Sequence, residues 1–208
     1  KDMEPFATVA GVPFYPVEPD IIACAGGVSK VNAAMAAEIP CLKYGVDLIL
    51  NAGVAGCLTD LPTGSLVVAS EFVQHDVDTT AVGDPIGLVS TVNRVEFPTW
   101  EPERCVKLLA DMGIHAVTGR VATGDWFAVN CKRAEFIRDT FRPVLTEQEG
   151  GAIAQVCLRN GVRVVAVKSI SDHLFSENQQ EEYFNFGEAL ENMGTIVLPL
   201  ARKLKEEA

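Results

Sequence analysis

Apolar positions fall into short runs bounded by glycine, proline and polar clusters, and these runs alternate with segments of helical period. The clearest run is Val164 to Asp172. Its β-branched Val164, Val165 and Val167, with Ala166, read as a strand buried on both faces and ending in Ser171-Asp172. A second apolar stretch, Pro143 to Leu145, leads into Glu147-Gln148-Glu149-Gly150 and a helical segment from Gly151 to Arg159. In α/β proteins ligands sit just beyond the carboxyl ends of the strands, so two such ends place carboxylates in one cleft.

The same reading extends along the chain. Val9 to Tyr15 and Asp20 to Ala25 read as strands separated by a turn at Pro16 to Pro19. After Gly26-Gly27, Ser29 caps a helix running to about Tyr44. Asp47 to Leu50 is a buried strand that ends in a glycine turn, Asn51 to Gly56, and Gly64 to Gln74 is another strand. A polar loop, His75 to Pro85, precedes a stretch to Pro98 with no clear period. Helices are expected at Glu101 to Met112, Lys132 to Phe141, 151–159 and Glu188 to Lys205, and strands at Ala116 to Ala122, 143–146 and 162–170. Strands alternating with helices predict one α/β domain over residues 1–208. Its sheet is mostly parallel but mixed, with helices on both faces and right-handed crossovers.

Composition narrows the function. A chain of 208 residues with 48% hydrophobic positions can bury a substantial core. The net charge of −11 offers no basic stripe to phosphates, so no nucleic-acid partner is expected. No apolar run nears the roughly 20 residues that cross a bilayer, and residues 1–10 lack the apolar core of a secretory signal. The expectation is a cytoplasmic protein with no membrane partner. The six cysteines show no CxxC spacing and the three histidines are far apart, so buried thiols and no metal site are expected.

Four strand ends carry chemistry: Asn51 to Gly56, Thr123 to Phe127, Glu147 to Gly150 and Ser171-Asp172. Read alone, each residue also has a plainer account. Asp172 suits a helix N-cap. Glu147 and Glu149 suit the negative opening of a helix. Trp126 and Phe127 suit a core.

The segments GGVSKVNAA (26–34), NAGVAG (51–56), QHDVDTTAVGDPIG (74–87), ATGDWF (122–127), EQEGGAIAQVC (147–157) and SISD (169–172) occur together and in this order. From about residue 9 onward the chain resembles the purine nucleoside phosphorylase-like superfamily, and most closely its 5′-methylthioadenosine/S-adenosylhomocysteine nucleosidases. The resemblance implies hydrolysis of the bond between ribose C1′ and adenine N9 through an oxocarbenium-like transition state. It makes Asp172 the general acid that protonates adenine N7, a role asking for a carboxyl whose pKa is lifted in a dry pocket, with Ser171 steadying it. Glu149 would bind the ribose hydroxyls, and Phe127 would stack on the purine. Ala52 and Gly53 would line sugar and base, and His75 to Gly83 would lie near a subunit interface. Phe175, or Phe97 and Pro98 of a second copy, would hold the 5′ group. The resemblance further implies a small-molecule nucleoside substrate, a homodimer or larger oligomer, and neither metal nor organic cofactor.

Two branches of the resemblance differ in nucleophile, water or phosphate. Arginine is absent before Arg94 and Val54 takes the place of a hydroxyl residue, which favours water, although the turn Gly26 to Lys30 could hold an anion. A homologue that binds adenine nucleosides without turnover is the reading from another class. Three departures stand out. The family opens with a strand and a loop whose glutamate activates water; here the chain starts apparently beyond them, leaving Glu4 as the nearby candidate. Gln148 replaces a methionine that touches the sugar. Lys168 replaces an arginine, losing any bidentate fork.

Overall fold

The chain opens with an antiparallel meander of three strands, β1 (Ala7–Val9), β2 (Val12–Glu18) and β3 (Ile21–Cys24). β1 turns into β2 through Ala10-Gly11, both at positive φ (50° and 81°), the geometry of a type I′ hairpin. The break expected at Pro16 is absent. Pro16 pairs with Ile22 inside β2, next to a register irregularity that suits a residue with no N–H. The chain instead turns at Pro19-Asp20, between the paired Glu18 and Ile21. The computed structural model describes residues 3–129, 132–176 and 186–206.

Six further strands form the main sheet: β4 (Leu48–Cys57), β5 (Leu66–Gln74), β6 (Glu96–Pro98), β7 (Ala116–Thr123), β8 (Leu145–Glu147) and β9 (Arg163–His173). Their order is β6-β5-β7-β8-β4-β9, and β9 also pairs with β5, so the sheet closes on itself. β4–β9, β5–β7 and β7–β8 are parallel; β4–β8, β5–β6 and β5–β9 are antiparallel. This is the mixed α/β architecture the alternation predicts.

Burial on both faces follows from the uninterrupted apolar runs. Along β9, Val164, Ala166 and Ile170 join the layer containing Ala33, Ala37, Ile153, Ala154 and Cys157 of α1 (Lys30–Tyr44) and α4 (Gly150–Asn160). Val165 and Val167 point the other way. They meet Cys105, Leu108 and Leu109 of α2 (Pro102–Asp111) and Met193, Leu200 and Leu204 of α5 (Phe186–Glu206). A third cluster packs α3 (Lys132–Phe141) on Val73, Ala122 and Leu174 at the strand ends. The expected start of the last helix, Glu188, falls inside α5; residues 177–185 lie outside the described part.

One expectation is overturned where it matters. Asn51 to Gly56 is not a turn. β4 continues to Cys57 because β9 runs beside it residue for residue, from Leu48 opposite Arg163 to Ala55 opposite Ile170. Gly56 then pairs with Asp172, which leaves Ser171 as the extra residue of a bulge. Bulges of this kind re-aim side chains at the ends of sheets. A Cβ at Gly56 would stand 2.5 Å from a methyl of Leu174, so any larger residue would push that side chain aside.

Candidate functional site

The pairings of Gly56 define the floor of the site. It lies opposite Thr146 of β8 on one side and Asp172 of β9 on the other. Glu147 and Asp172 therefore stand on strands flanking β4, about 10 Å apart at the usual spacing between neighbouring strands. Asp172 is 5% exposed. The Ser171 hydroxyl is 2.6 Å from its Oδ1 and 3.2 Å from the carbonyl of Ala55. One hydroxyl hydrogen serves one of these acceptors well at a time. Ser171 can donate to an ionised Asp172, or accept from a protonated one while donating to Ala55.

Glu147 is the most heavily bonded carboxylate on the floor. Its Oε2 accepts from the N–H groups of Gly150 (2.7 Å) and Glu149 (3.1 Å) and from Lys168 Nζ (3.0 Å). Its Oε1 accepts a short bond from the Thr123 hydroxyl, which itself accepts the Gly151 N–H at 2.8 Å. The side chains of Glu147 and Lys168 are each 2% exposed. Burial alone would raise the Glu147 pKa; the Lys168 charge and these donors together hold it below the usual carboxylate range. The acid that opens α4 is thus a buried cap, and Lys168 is its counter-ion.

Glu149, two residues on, is half-buried and perturbed the other way. Burial raises its pKa, the Glu147 charge raises it further, and Lys168 opposes them. Its Oε1 accepts the N–H of Ser29 at 3.1 Å, and its Oε2 that of Gln148 at 3.3 Å. Ser29 makes no side-chain cap on α1 and sits at φ 80°, correcting the expectation that its hydroxyl starts the helix. The next N–H, of Lys30, is taken by Asp125 at 2.8 Å. Lys30 Nζ pairs with Asp76 (2.7 Å) and reaches Gln74 Oε1 (3.3 Å). Asp76 also accepts the Asp125 N–H at 2.9 Å, and Gln74 bonds Gln155 at 2.8 Å. The glycine turn at 26–30 therefore spends two N–H groups on the protein's own carboxylates.

The third wall is aromatic. Phe127 is 53% exposed, whereas Trp126 joins the α3 cluster with the Arg133 guanidinium 4.6 Å from its ring centre. His75 lies edge-on to Trp126 at 6.3 Å and 5% exposed, and neither of its ring nitrogens has a partner in the structure. A Cβ at Gly124 would stand 2.3 Å from the His75 ring. Burial pushes the imidazole pKa down to about 4, so it is neutral near pH 7. Among the described residues no group of three or more His, Cys, Asp or Glu side chains could hold a metal ion.

A family profile described as the phosphorylase superfamily matches residues 8–202. The chain belongs to the phosphorylase superfamily. A relative from Shewanella halifaxensis (strain HAW-EB4), named 5′-methylthioadenosine/S-adenosylhomocysteine nucleosidase, is 35% identical over 173 residues, 80% of this chain and 75% of the relative. Among solved structures, a Helicobacter pylori nucleosidase of the same name, bound to butyl-thio-DADMe-Immucillin-A, superposes with a TM-score of 0.89. It is 26% identical and covers 97% of this chain and 90% of its own. A futalosine hydrolase mutant from Helicobacter pylori strain 26695 superposes with a TM-score of 0.88, at 27% identity over 98% of this chain and 90% of its own.

Against this phosphorylase-superfamily framework the sequence candidates divide. Asp172, Ser171, Glu149 and Gln148 stand on the rim. Gly53 pairs with Lys168, and a Cβ there would lie 3.7 Å from the ammonium. The Ala52 side chain faces away, into the layer under α2 and α5, so only its backbone can line a pocket. Glu4 is exposed ahead of β1 and tied to the meander, where Phe6 N–H bonds the Phe14 carbonyl at 2.9 Å. Among the described residues no hydrogen bond or ion pair joins Glu4 to the rim. Phe97 is 1% exposed inside the core, which removes it as a surface for a 5′ group of a second copy. Phe175 packs by the α3 cluster, with Arg138 4.9 Å from its ring centre. Sequence reading missed the roles of Thr123, Lys30, Asp76 and Asp125. Their strand-end segments were visible; their mutual bonds depend on which strands become neighbours.

Proposed function

We propose that the protein is a nucleosidase that hydrolyses the N-glycosidic bond of 5′-thio-substituted adenosines, 5′-methylthioadenosine and S-adenosylhomocysteine, and releases adenine. Asp172 protonates adenine N7 as the C1′–N9 bond breaks, water adds at C1′ and releases its second proton to solvent, and Ser171 turns its hydroxyl to the carboxylate left behind. The ionised Glu149 accepts from the ribose 2′- and 3′-hydroxyls and stabilises the developing cation. Phe127, exposed in the segment after β7, offers its face to the purine, and Gly53 allows backbone to approach the sugar. The shared name of the relatives supports the substrate class.

The observation that carries the choice of water over phosphate is the filling of the turn before α1. Its Ser29 and Lys30 N–H groups, the natural cradle for an anion, are held by Glu149 and Asp125. A phosphate would have to displace one carboxylate and sit beside two others, Asp76 and Glu147. We further propose a homodimer, supported by the outward apolar positions of α1. A cytoplasmic setting is supported by five described cysteines that are all free thiols, three of them buried.

The test is chromatography of adenine released from 5′-methylthioadenosine, with and without inorganic phosphate. Equal rates are expected in both, and Asp172→Asn should slow release at least ~100-fold, the usual share of a general acid. Release only with phosphate would make the protein a phosphorylase. No release from either thioadenosine, but release from futalosine, would keep the chemistry and change the 5′ group. No release from any of the three would leave a binding protein.

A further inference from the structure

The buried ion pair under the rim is unused by the mechanism above, although Glu147 is the best-connected carboxylate among the described residues. Glu147 sits on β8, Lys168 on β9 and Thr123 on β7, and all three meet where α4 begins. The two backbone N–H groups that Glu147 accepts belong to Glu149 and Gly150, the residues that aim the Glu149 side chain. We propose that Glu147 is a positioning residue for substrate binding: clamped by Lys168, Thr123 and the opening of α4, it fixes the direction of Glu149 and keeps a permanent negative charge beside it. This rests on Glu149 being the carboxylate that binds the sugar hydroxyls.

The charge has a consequence for binding. Glu149 must be ionised to accept from both hydroxyls, so affinity should fall as the pH drops through its pKa. Glu147 lifts that pKa, after burial itself, and Lys168 pulls it down by less. The other groups facing Glu149 are the Gln148 N–H, the Ser29 N–H from the start of α1 and the neighbouring Lys30, whose ammonium is met by Asp76 of the loop after β5 and whose backbone N–H is taken by Asp125 of the loop after β7. Asp172 stands across β4. None of these is altered by changing Glu147.

The experiment measures KM and kcat for 5′-methylthioadenosine from pH 4 to 8 in the wild type, Glu147→Gln and Lys168→Arg. In Glu147→Gln the acid limb of 1/KM should move to lower pH. At pH values below both limbs KM should improve about tenfold for each unit of movement. Lys168→Arg keeps the cation and should leave the limb in place. A purely structural role would lower kcat and melting temperature at all pH values without moving the limb, and that result would overturn the proposal. If Glu147→Gln fails to fold around an uncompensated Lys168, the pair Glu147→Gln/Lys168→Met removes both charges. It should still move the limb down, because Glu147 is the stronger of the two influences.

Carbon-13 NMR of the labelled Glu149 carboxyl, without substrate, reads the same coupling directly. A lower midpoint in Glu147→Gln with an unmoved KM limb would uphold the coupling and overturn the assignment of Glu149 to the sugar. An unchanged midpoint would overturn the coupling whatever the substrate.

Discussion

At the residue scale the rim works by setting like groups apart. Glu147 and Glu149 are separated by one residue, yet the first is held ionised by Lys168 and three further donors while the second is raised toward its protonated form. One carboxylate becomes part of the frame and the other stays responsive to ligand. His75 shows the opposite treatment of a polar group, buried neutral with no partner in the structure. Its folded pKa of about 4 lies below the ordinary value of 6.5, so the unfolded chain binds the proton first. The penalty is absent above pH 6.5, grows as the pH falls from 6.5 toward 4, and then levels off. The full difference is worth up to about 3 kcal/mol at ~1.4 kcal/mol per unit. Thermal melts at pH 7 and pH 5 should show wild type losing stability that His75→Phe keeps. An equal loss in both would mean that carboxylates alone set the acid sensitivity.

At the element scale the site depends on how closely β4 can run beside β9. Gly56 is the tightest point, and Gly56→Ala would drive a Cβ to 2.5 Å from a Leu174 methyl that is itself buried. The side chain can give a little, so the expected cost is about 1–3 kcal/mol, the range for overpacking. Because Asp172 pairs with Gly56, the lower melting temperature should come with a lower kcat. Unchanged kcat in a destabilised variant would separate the strand contact from the acid. Much of this was legible in the sequence. The β-branched run at 164–167 gave β9, the acids at 147 and 149 gave the rim, and helix ends agree within a few residues. What was not legible depends on neighbours. Asn51 to Gly56 looks like a turn until β9 pairs along it, and Ser29 looks like a cap until Glu149 takes its N–H. Lys168 reads as a lost arginine fork, and only the fold shows the carboxylate it serves.

At the scale of the whole molecule, charge and apolar surface point to the same assembly. The chain carries a net charge of −11, so copies repel unless their contact face lacks carboxylates. The outer face of α1 meets that condition. Its single acid, Glu38, is turned to Asn160 of α4 at 2.6 Å, and Lys30 is tied to Asp76. Ala33, Ala36, Ala37 and Pro40 are buried inward, while Val31 (69% exposed), Met35 and Leu42 (72% exposed) share the outward side at helical spacing. A helix apolar on both sides is one that is covered on both sides. A two-fold contact lets one such face cover itself, because each copy supplies the same patch. Burying a Val or Leu side chain stabilises by roughly 1.5–3 kcal/mol, so a few per copy suffice to offset the repulsion. Sedimentation velocity should therefore show a species of about twice the 22.4 kDa chain. Val31→Glu/Leu42→Glu should shift it to a monomer that keeps its secondary structure. Adenine release by that monomer tells whether the second copy contributes to the pocket: unchanged kcat/KM confines the site to one chain, and a raised KM places part of the substrate contact across the interface. A wild-type monomer at tens of micromolar would leave the α1 face uncovered and the dimer refuted.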